Sequence, residues 1–269
     1  MTPDPSDLRT ILALGVQLAT RAAEVHVEGR RGRLHVDEKG SPFNLVTHVD
    51  RRAESLIVDG IVAARPQDEI LGEEGASRRG TSGIRWIIDP LDGTANYVYG
   101  YPAHAVSIGV EVDGEPSIGI VFDTGRDVLY AAARGDPATA NGEPIEASAK
   151  EDVETAMVAT GFSFDPPLRV RQAEVLARLM GGIRDVRRSG AASIDLCALA
   201  TGAIDAYYEG ALAPWDVAGG SVIAEAAGAT VLRGTAEGYP GVGVMGANAG
   251  LLERLVPVLR DAGFDLISS

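Results

Sequence analysis

Apolar and small residues recur at helical spacing in the first segment of the chain, at Leu8, Ile11, Leu12, Gly15, Leu18, Ala19 and Ala22. They predict an amphipathic packing helix with Ser6 as its N-cap. The stretch 29–40 is basic, then mixed, and reads as loops or short extended pieces. Ala53, Leu56, Ile57 and Ile61 then mark a second helix that Pro66 closes, and Asp50 falls at its start, where an acidic side chain serves as a cap or dipole partner. Beyond Pro66 the period changes to that of strands. Ile70-Leu71-Gly72 predicts a short strand ending in Glu73-Glu74, 75–83 a flexible surface loop, and Trp86-Ile87-Ile88 a buried strand. Three more strands follow at 105–112, 117–122 and 128–132, separated by Asp113-Gly114 and Asp123-Thr124-Gly125, which have hairpin chemistry. This part of the chain reads as an antiparallel meander.

From about Asn141 the pattern alternates. A strand at 157–160, a helix over 170–180, a strand ending near Arg187-Arg188, a helix over 192–200 and a strand at 206–208 predict an open sheet with helices packed against it. A small-residue helix over 221–227 follows Pro214-Trp215-Asp216, with Asp216 at its entry as a candidate N-cap. A final strand at 242–245 leads to a last helix from Leu251, which Pro257 should bend or break. The expected division is an α+β half, 1–147, and an α/β half, 148–269.

Composition narrows the class. With 269 residues, 45% hydrophobic and 23% charged, the chain is long enough for a substantial core and ordinary for a globular protein. The net charge of −14 argues against a general nucleic-acid binder, though not against a phosphorylated substrate whose charge metal ions offset. The single cysteine, Cys197, excludes an internal disulfide, fits a reducing compartment and reads as a small buried apolar residue. No secretory signal and no membrane-spanning apolar run are visible, so the expected location is cytoplasmic. The four histidines, His26, His35, His48 and His104, have no ligand-like spacing and read as surface or satisfied core residues.

The candidate chemistry lies in Asp89-Pro90-Leu91-Asp92-Gly93-Thr94. Two carboxylates three residues apart on a tight turn can face one point, and they repel unless a cation lies between them. The Gly93 and Thr94 amides beside them, at a helix start, favour an anion. Cation and anion side by side suggest phosphate chemistry. The plainer reading is a hydrophilic turn. A haloacid-dehalogenase nucleophile would have to stand where Pro90 is, and proline cannot attack phosphorus. One of Glu73 and Glu74 is a plausible third ligand.

The chain resembles the inositol monophosphatase family of magnesium-dependent, lithium-sensitive phosphatases. The matching pieces are Lys39 with Asn44-Leu45-Val46-Thr47 and Asp50, Gly72-Glu73-Glu74, and Trp86 through Asn96; then Gly190-Ala191-Ala192, Asp205 through Glu209, and Trp215 through Gly219. The order and spacing of six pieces is far more specific than any one of them. The fold this resemblance implies is a layered αβαβα sandwich. It also implies two or three Mg²⁺ ions per site, held by Glu73, Asp89, the Leu91 carbonyl, Asp92 and Asp216, all hard oxygens suited to that ion. Asp50, Glu73 and Thr94 would be catalytic, with Thr94 and Asp50 orienting the attacking water and Glu73 beside them. Asp92, Gly93, Thr94, Gly190, Ala191, Ala192, Glu209 and Asp216 would bind substrate, a small phosphate monoester. Asn44 stands where many members carry Asp, and Ala191 where some carry Thr. The implied substrate is inositol 1-phosphate, with histidinol phosphate, fructose 1,6-bisphosphate and 3′-phosphoadenosine 5′-phosphate as alternatives. Family likeness further implies a homodimer and inhibition by lithium. The alternative from another class is a partner-binding protein keeping the fold, for example in the transcription machinery; loss of metal ligands would favour it, and every matched ligand is intact.

Overall fold

The computed structural model describes residues 5–267, with side chains from residue 7. In chain order the helices are α1 (Pro5–Arg30), α2 (His48–Ala64), α3 (Thr94–Tyr99), α4 (Pro166–Leu179), α5 (Ala192–Ala200), α6 (Pro214–Ala226) and α7 (Ala249–Ala262). The strands are β1 (Val36–Glu38), β2 (Leu45–Thr47), β3 (Glu69–Gly72), β4 (Ser77–Arg78), β5 (Ile84–Asp92), β6 (Ala105–Val112), β7 (Glu115–Asp123) and β8 (Val128–Ala133). They continue with β9 (Thr139–Ala140), β10 (Glu143–Pro144), β11 (Met157–Thr160), β12 (Asp185–Arg187), β13 (Ala206–Leu212), β14 (Thr230–Ala236), β15 (Val242–Ala247) and β16 (Leu266–Ile267).

Two large sheets form. The first runs β10-β9-β8-β7-β6-β5-β3-β4 and the second β12-β11-β13-β15-β14-β16. The first is antiparallel apart from β3 beside β5, and the second pairs β11 in parallel with both β12 and β13. The meander β6-β7-β8 matches the three strands expected from the sequence, and its first reversal uses Asp113 (φ 52°) and Gly114 (φ 82°), the left-handed pair that a two-residue hairpin requires. Helices α1 and α2 cover one face of the first sheet, α5 and α6 lie between the sheets, and α4 and α7 cover the far face of the second. The layers are therefore αβαβα, as expected.

Glycines set how closely these layers approach. A Cβ on Gly119 would lie 2.2 Å from the Gly219 carbonyl, and one on Gly109 would lie 2.5 Å from Ala218 Cβ. Helix α6 thus rests directly on the backbone of β6 and β7, which fixes the height of Asp216 above the first sheet. Beneath α1 and α2, Trp86 is fully buried, and its indole N–H donates to Asp68 Oδ2 at 2.9 Å.

Several boundaries differ from the sequence expectation. Helix α1 begins at Pro5, so Ser6 lies inside it rather than capping it, and it continues to Arg30 instead of giving way to loop at Gly29. The 75–83 loop contains the short strand β4. Strand β13 continues past Tyr208 to Leu212 through an irregularity after Glu209, and α6 begins at Pro214, seven residues before the expected start. Strand β14 was not anticipated; its one-letter run TVLRGTA buries only two of seven positions and so lacks clear alternation. Helix α7 passes through Pro257 unbroken. Pro257 is exposed while Leu251, Leu252, Leu255 and Leu259 are buried, so the packed apolar face holds the helix across the missing hydrogen bond. Among the described residues no helix is long and apolar enough to cross a membrane.

Candidate active site

Strand β5 carries the Asp89–Asp92 turn. Its regular pairing with β6 lapses between Asp89 and Asp92, a local bulge of the kind that re-aims side chains beside active sites. Asp89 Oδ1 accepts the Leu91 N–H at 3.0 Å. Gly93, at φ 84°, turns the chain in the left-handed region, and α3 starts at Thr94. The Thr94 hydroxyl lies 2.9 Å from Asp50 Oδ1 and 3.0 Å from the Leu91 carbonyl.

Asp50 combines two roles that the sequence left as alternatives. It sits at the third position of α2, where Oδ2 accepts the Thr47 N–H at 2.8 Å and the Thr47 hydroxyl at 2.6 Å. Thr47 in turn accepts the Val49 N–H, completing a capping box. The cap uses Oδ2 and leaves Oδ1 for Thr94. Burial raises the Asp50 pKa, and the hydrogen bonds from Thr47 and Thr94 oppose that rise.

The other carboxylates arrive from separate elements. Glu73 follows β3, whose turn is held by buried Glu54 on α2; that carboxylate accepts the Glu74 N–H at 2.8 Å and the Ala76 N–H at 3.0 Å. Lys39 reaches in from the β1–β2 loop to Glu73 Oε1 at 3.0 Å and to Glu74. Asp92 Oδ2 takes both the N–H (2.8 Å) and the hydroxyl (2.5 Å) of Ser193 in the first turn of α5. Asp216, at the third rather than the capping position of α6, accepts the Ala213 N–H at 2.7 Å. Glu209 on β13 is buried and accepts the Tyr207 hydroxyl at 2.7 Å.

Burial and mutual repulsion disfavour charge throughout this cluster. The Asp89 pKa is pushed well up by burial and then by the charges of Glu73, Asp92 and Asp216. Burial also pushes Asp216 well up, with Asp92 adding to it. Asp92 rises to about 6, because burial outweighs the Ser193 hydrogen bonds. Glu209 rises to about 8, chiefly through burial. A dense group of hard oxygens in a low-dielectric site is the donor set of a divalent cation such as Mg²⁺, and it suits Zn²⁺ or copper poorly because no Cys or His joins it. In the side-chain arrangement observed, no three ligand-type groups close on one point among the described residues. Asp89, Glu73, Asp92 and Asp216 each also accept from a nearby N–H, hydroxyl or ammonium donor.

One cleft gathers residues spread over more than 140 positions of the sequence. Glu73, Asp89, Leu91, Asp92, Gly93, Thr94, Gly190, Ala191, Ala192, Glu209 and Asp216 all line it, as does Asn44. Asp50 stands behind Thr94, outside the lining. Of the two arginines noted near the substrate turn, Arg187 pairs with exposed Asp185 at 2.9 Å, while Arg188 lines the cleft. Sequence reasoning missed Ser193, Glu54 and Asp195, the last buried and raised to about 7 mainly by burial. Ser193 had a legible signal, since it lies in the first turn of a helix beginning at Ala192; Glu54 had none beyond the four-residue helical step from Asp50.

Layering and cleft together define an αβαβα protein with an acidic, cation-suited site. Residues 7–262 match the inositol monophosphatase family, and the chain belongs to that family, whose members are generally metal-dependent. It is 38% identical to an inositol-1-monophosphatase of Mycobacterium bovis over 96% of this chain and 94% of that one. It is 34% identical to the Nus factor SuhB of Escherichia coli over 83% of this chain and 85% of that protein. A crystal structure of the extragenic suppressor protein suhB from Bartonella henselae superposes with a TM-score of 0.86 at 30% identity, covering 93% of this chain and 98% of that one.

Proposed function

We propose that this chain hydrolyses inositol 1-phosphate and related polyol monophosphates, using two or three Mg²⁺ ions held by Glu73, Asp89, the Leu91 carbonyl, Asp92 and Asp216. The observation that carries the reading is the burial of Asp89, Asp92 and Asp216 in one cleft, each pushed up in pKa by that burial. Such a cluster is costly to ionise unless a cation binds it. Bound Mg²⁺ would supply Lewis acidity, activating water and offsetting charge on the phosphoryl oxygens.

The chain's own groups supply the rest. The Thr94 hydroxyl, within reach of Asp50 Oδ1, accepts a hydrogen bond from the attacking water while donating its own proton to Asp50, so the water's lone pair is aimed at phosphorus. Glu73 flanks the same point. The Gly93 and Thr94 amides hold the phosphate at the start of α3. Glu209 also lines the cleft, with Tyr207 hydrogen-bonded to its carboxyl, and accepts hydrogen bonds from the substrate's hydroxyls. Gly190, Ala191 and Ala192 shape that face with backbone and small side chains. Similarity to a protein named inositol-1-monophosphatase supports the choice of inositol.

Phosphate release from inositol 1-phosphate, fructose 1,6-bisphosphate, histidinol phosphate and 3′-phosphoadenosine 5′-phosphate, with and without Mg²⁺, tests the reading. The expected result is preference for the inositol ester, lost on chelation. Preference for another ester would overturn the substrate, and turnover in chelator would overturn the metal role. Family likeness supports a cytoplasmic homodimer, and a monomer by light scattering would refute the dimer. Similarity to a Nus factor favours a second reading, a partner-binding role. Wild-type protein that binds Mg²⁺ yet turns over none of these esters would favour it.

A further inference from the structure

Behind the Asp89–Asp92 turn, on the side away from the cleft, lies a chain of side chains that the reaction does not use, with His26 and His104 buried, Thr124 half-buried and Arg30 exposed. His26 on α1 places Nε2 2.9 Å from the Pro90 carbonyl and Nδ1 3.0 Å from the Thr124 hydroxyl. That hydroxyl lies 2.7 Å from His104 Nδ1, and His104 Nε2 lies 3.3 Å from Arg30 Nη2. His26 and His104 are 1% and 5% exposed, so both rings are desolvated. Arg30 also stacks on the Tyr97 ring, its guanidinium carbon 4.7 Å from the centroid.

The two ends of this chain fix every proton in it. A carbonyl oxygen only accepts, so His26 Nε2 carries a hydrogen and donates it to Pro90. A guanidinium only donates, so His104 Nε2 is bare and the ring hydrogen is on Nδ1. Burial pushes the two pKa values down, to about 3 and about 4, which keeps both rings neutral. His104 Nδ1–H then donates to the Thr124 oxygen, and the Thr124 hydrogen goes to His26 Nδ1. Turning that hydrogen to the His104 carbonyl, 3.2 Å away, would leave a buried imidazole nitrogen unpaired.

Pro90 lies where β5 and β6 lose register, so His26 stands in for a ladder donor. Pinning the Pro90 carbonyl to the rear constrains the two peptide planes on either side of it, which carry Asp89 and the Leu91 carbonyl toward the cleft.

We propose that the chain Arg30–His104–Thr124–His26 is a positioning device that sets the Asp89–Asp92 turn from behind, so that His26 and Thr124 govern cation affinity without touching substrate. The role rests on the metal-ligand reading above. Outer partners that orient ligands carry about 10- to 100-fold of metal affinity in other proteins.

The test uses the full chain and Mn²⁺ as the probe. The Mn²⁺ dissociation constant is measured by calorimetry for wild type, His26→Leu, Thr124→Val and the rescuing variants His26→Gln and Thr124→Ser. Ring tautomers are read by ¹⁵N nuclear magnetic resonance. His26→Leu and Thr124→Val should weaken Mn²⁺ by roughly tenfold or more, while the two rescuing variants stay within about threefold of wild type and KM at saturating Mg²⁺ is unchanged. Wild-type His26 should be the Nε2–H tautomer and His104 the Nδ1–H tautomer. Folded variants that bind Mn²⁺ as wild type does, or the opposite tautomers, would overturn the device while leaving the ligands standing. Wild type that binds no Mn²⁺ would overturn the ligand assignment, and this role with it. Thr124→Val, which is isosteric, keeps the question answerable if His26→Leu does not fold.

Discussion

The Asp89–Asp92 turn has two sides built on opposite principles. Toward the cleft stand carboxylates whose burial and mutual repulsion raise their pKa values. Toward α1 stand neutral histidines whose ring nitrogens are all paired. The first side gains from a ligand because its charges are poorly compensated; the second gains nothing from one because its hydrogen bonds are complete. A rear whose hydrogen bonds are complete allows an electrostatically costly front to persist in a folded protein. The same contrast separates what is expected to change with metal from what is not.

The largest effect should come from Asp89→Asn. It removes a charge from the crowded front, so magnesium-dependent turnover should fall by about a thousandfold or more, the scale of losing a key electrostatic group at a reacting centre. The fold should survive and the metal-free protein should melt higher than wild type, because Asn carries no charge to desolvate. Thermal unfolding in chelator, alongside phosphate release, measures both; a lower melting point in chelator would show that the carboxylate is structurally required.

Glu209→Gln should have the next largest effect. Its folded pKa is about 8, above the ordinary carboxylate value near 4.3. Below that ordinary value the group is protonated in both folded and unfolded chains and costs nothing. As pH rises toward 8 the unfolded chain ionises while the folded one keeps its proton, so stability falls across that window, by on the order of 3 kcal/mol at pH 7. The Gln variant should therefore be more stable than wild type at pH 7 in chelator and equal to it near pH 4. It should also lose more turnover on a polyol phosphate than on a small generic ester. Equal losses on both esters would remove Glu209 from the substrate pocket.

The front of the turn was legible in the sequence and the rear was not, for a physical reason. Asp89, Asp92, Gly93 and Thr94 lie within six residues, so turn chemistry and charge crowding are visible without a fold. The meander was equally plain, since β6 and β7 carry long buried apolar runs and end in Asp-Gly and Asp-Thr-Gly reversals. Glu73 was one of two candidates at the end of a predicted strand, whereas Glu209 and Asp216 are ordinary acidic residues until tertiary structure brings them in, and only the joint order of six motifs pointed to them. His26 pairs with Pro90 and Thr124, 64 and 98 positions away, and nothing local marks a helical histidine as the donor to a distant carbonyl. Strand β14 escaped because most of its side chains face solvent, which removes the alternation that signals a half-buried strand.

The smallest expected effect separates hydrogen-bond positioning from packing at the rear of the turn. The buried Tyr97 ring lies edge-on to His104, with centroids 5.1 Å apart, and its hydroxyl donates to the His26 backbone carbonyl at 2.6 Å. Gly29 makes room for it, since a Cβ there would lie 2.7 Å from the hydroxyl. Tyr97→Phe keeps the ring, the stacking of Arg30 and every link from Arg30 to Pro90, and removes one hydrogen bond to a carbonyl that also belongs to the ladder of α1. The cost should be about 1 kcal/mol, a shift of about 2–4 °C in melting temperature for a chain of this size, with Mn²⁺ affinity unchanged. If Tyr97→Phe weakened Mn²⁺ as much as His26→Leu, the rear would be acting as a packed block whose loosening reaches the cleft by any route. If only the variants that break the chain do so, the orientation of the Pro90 carbonyl is the quantity transmitted.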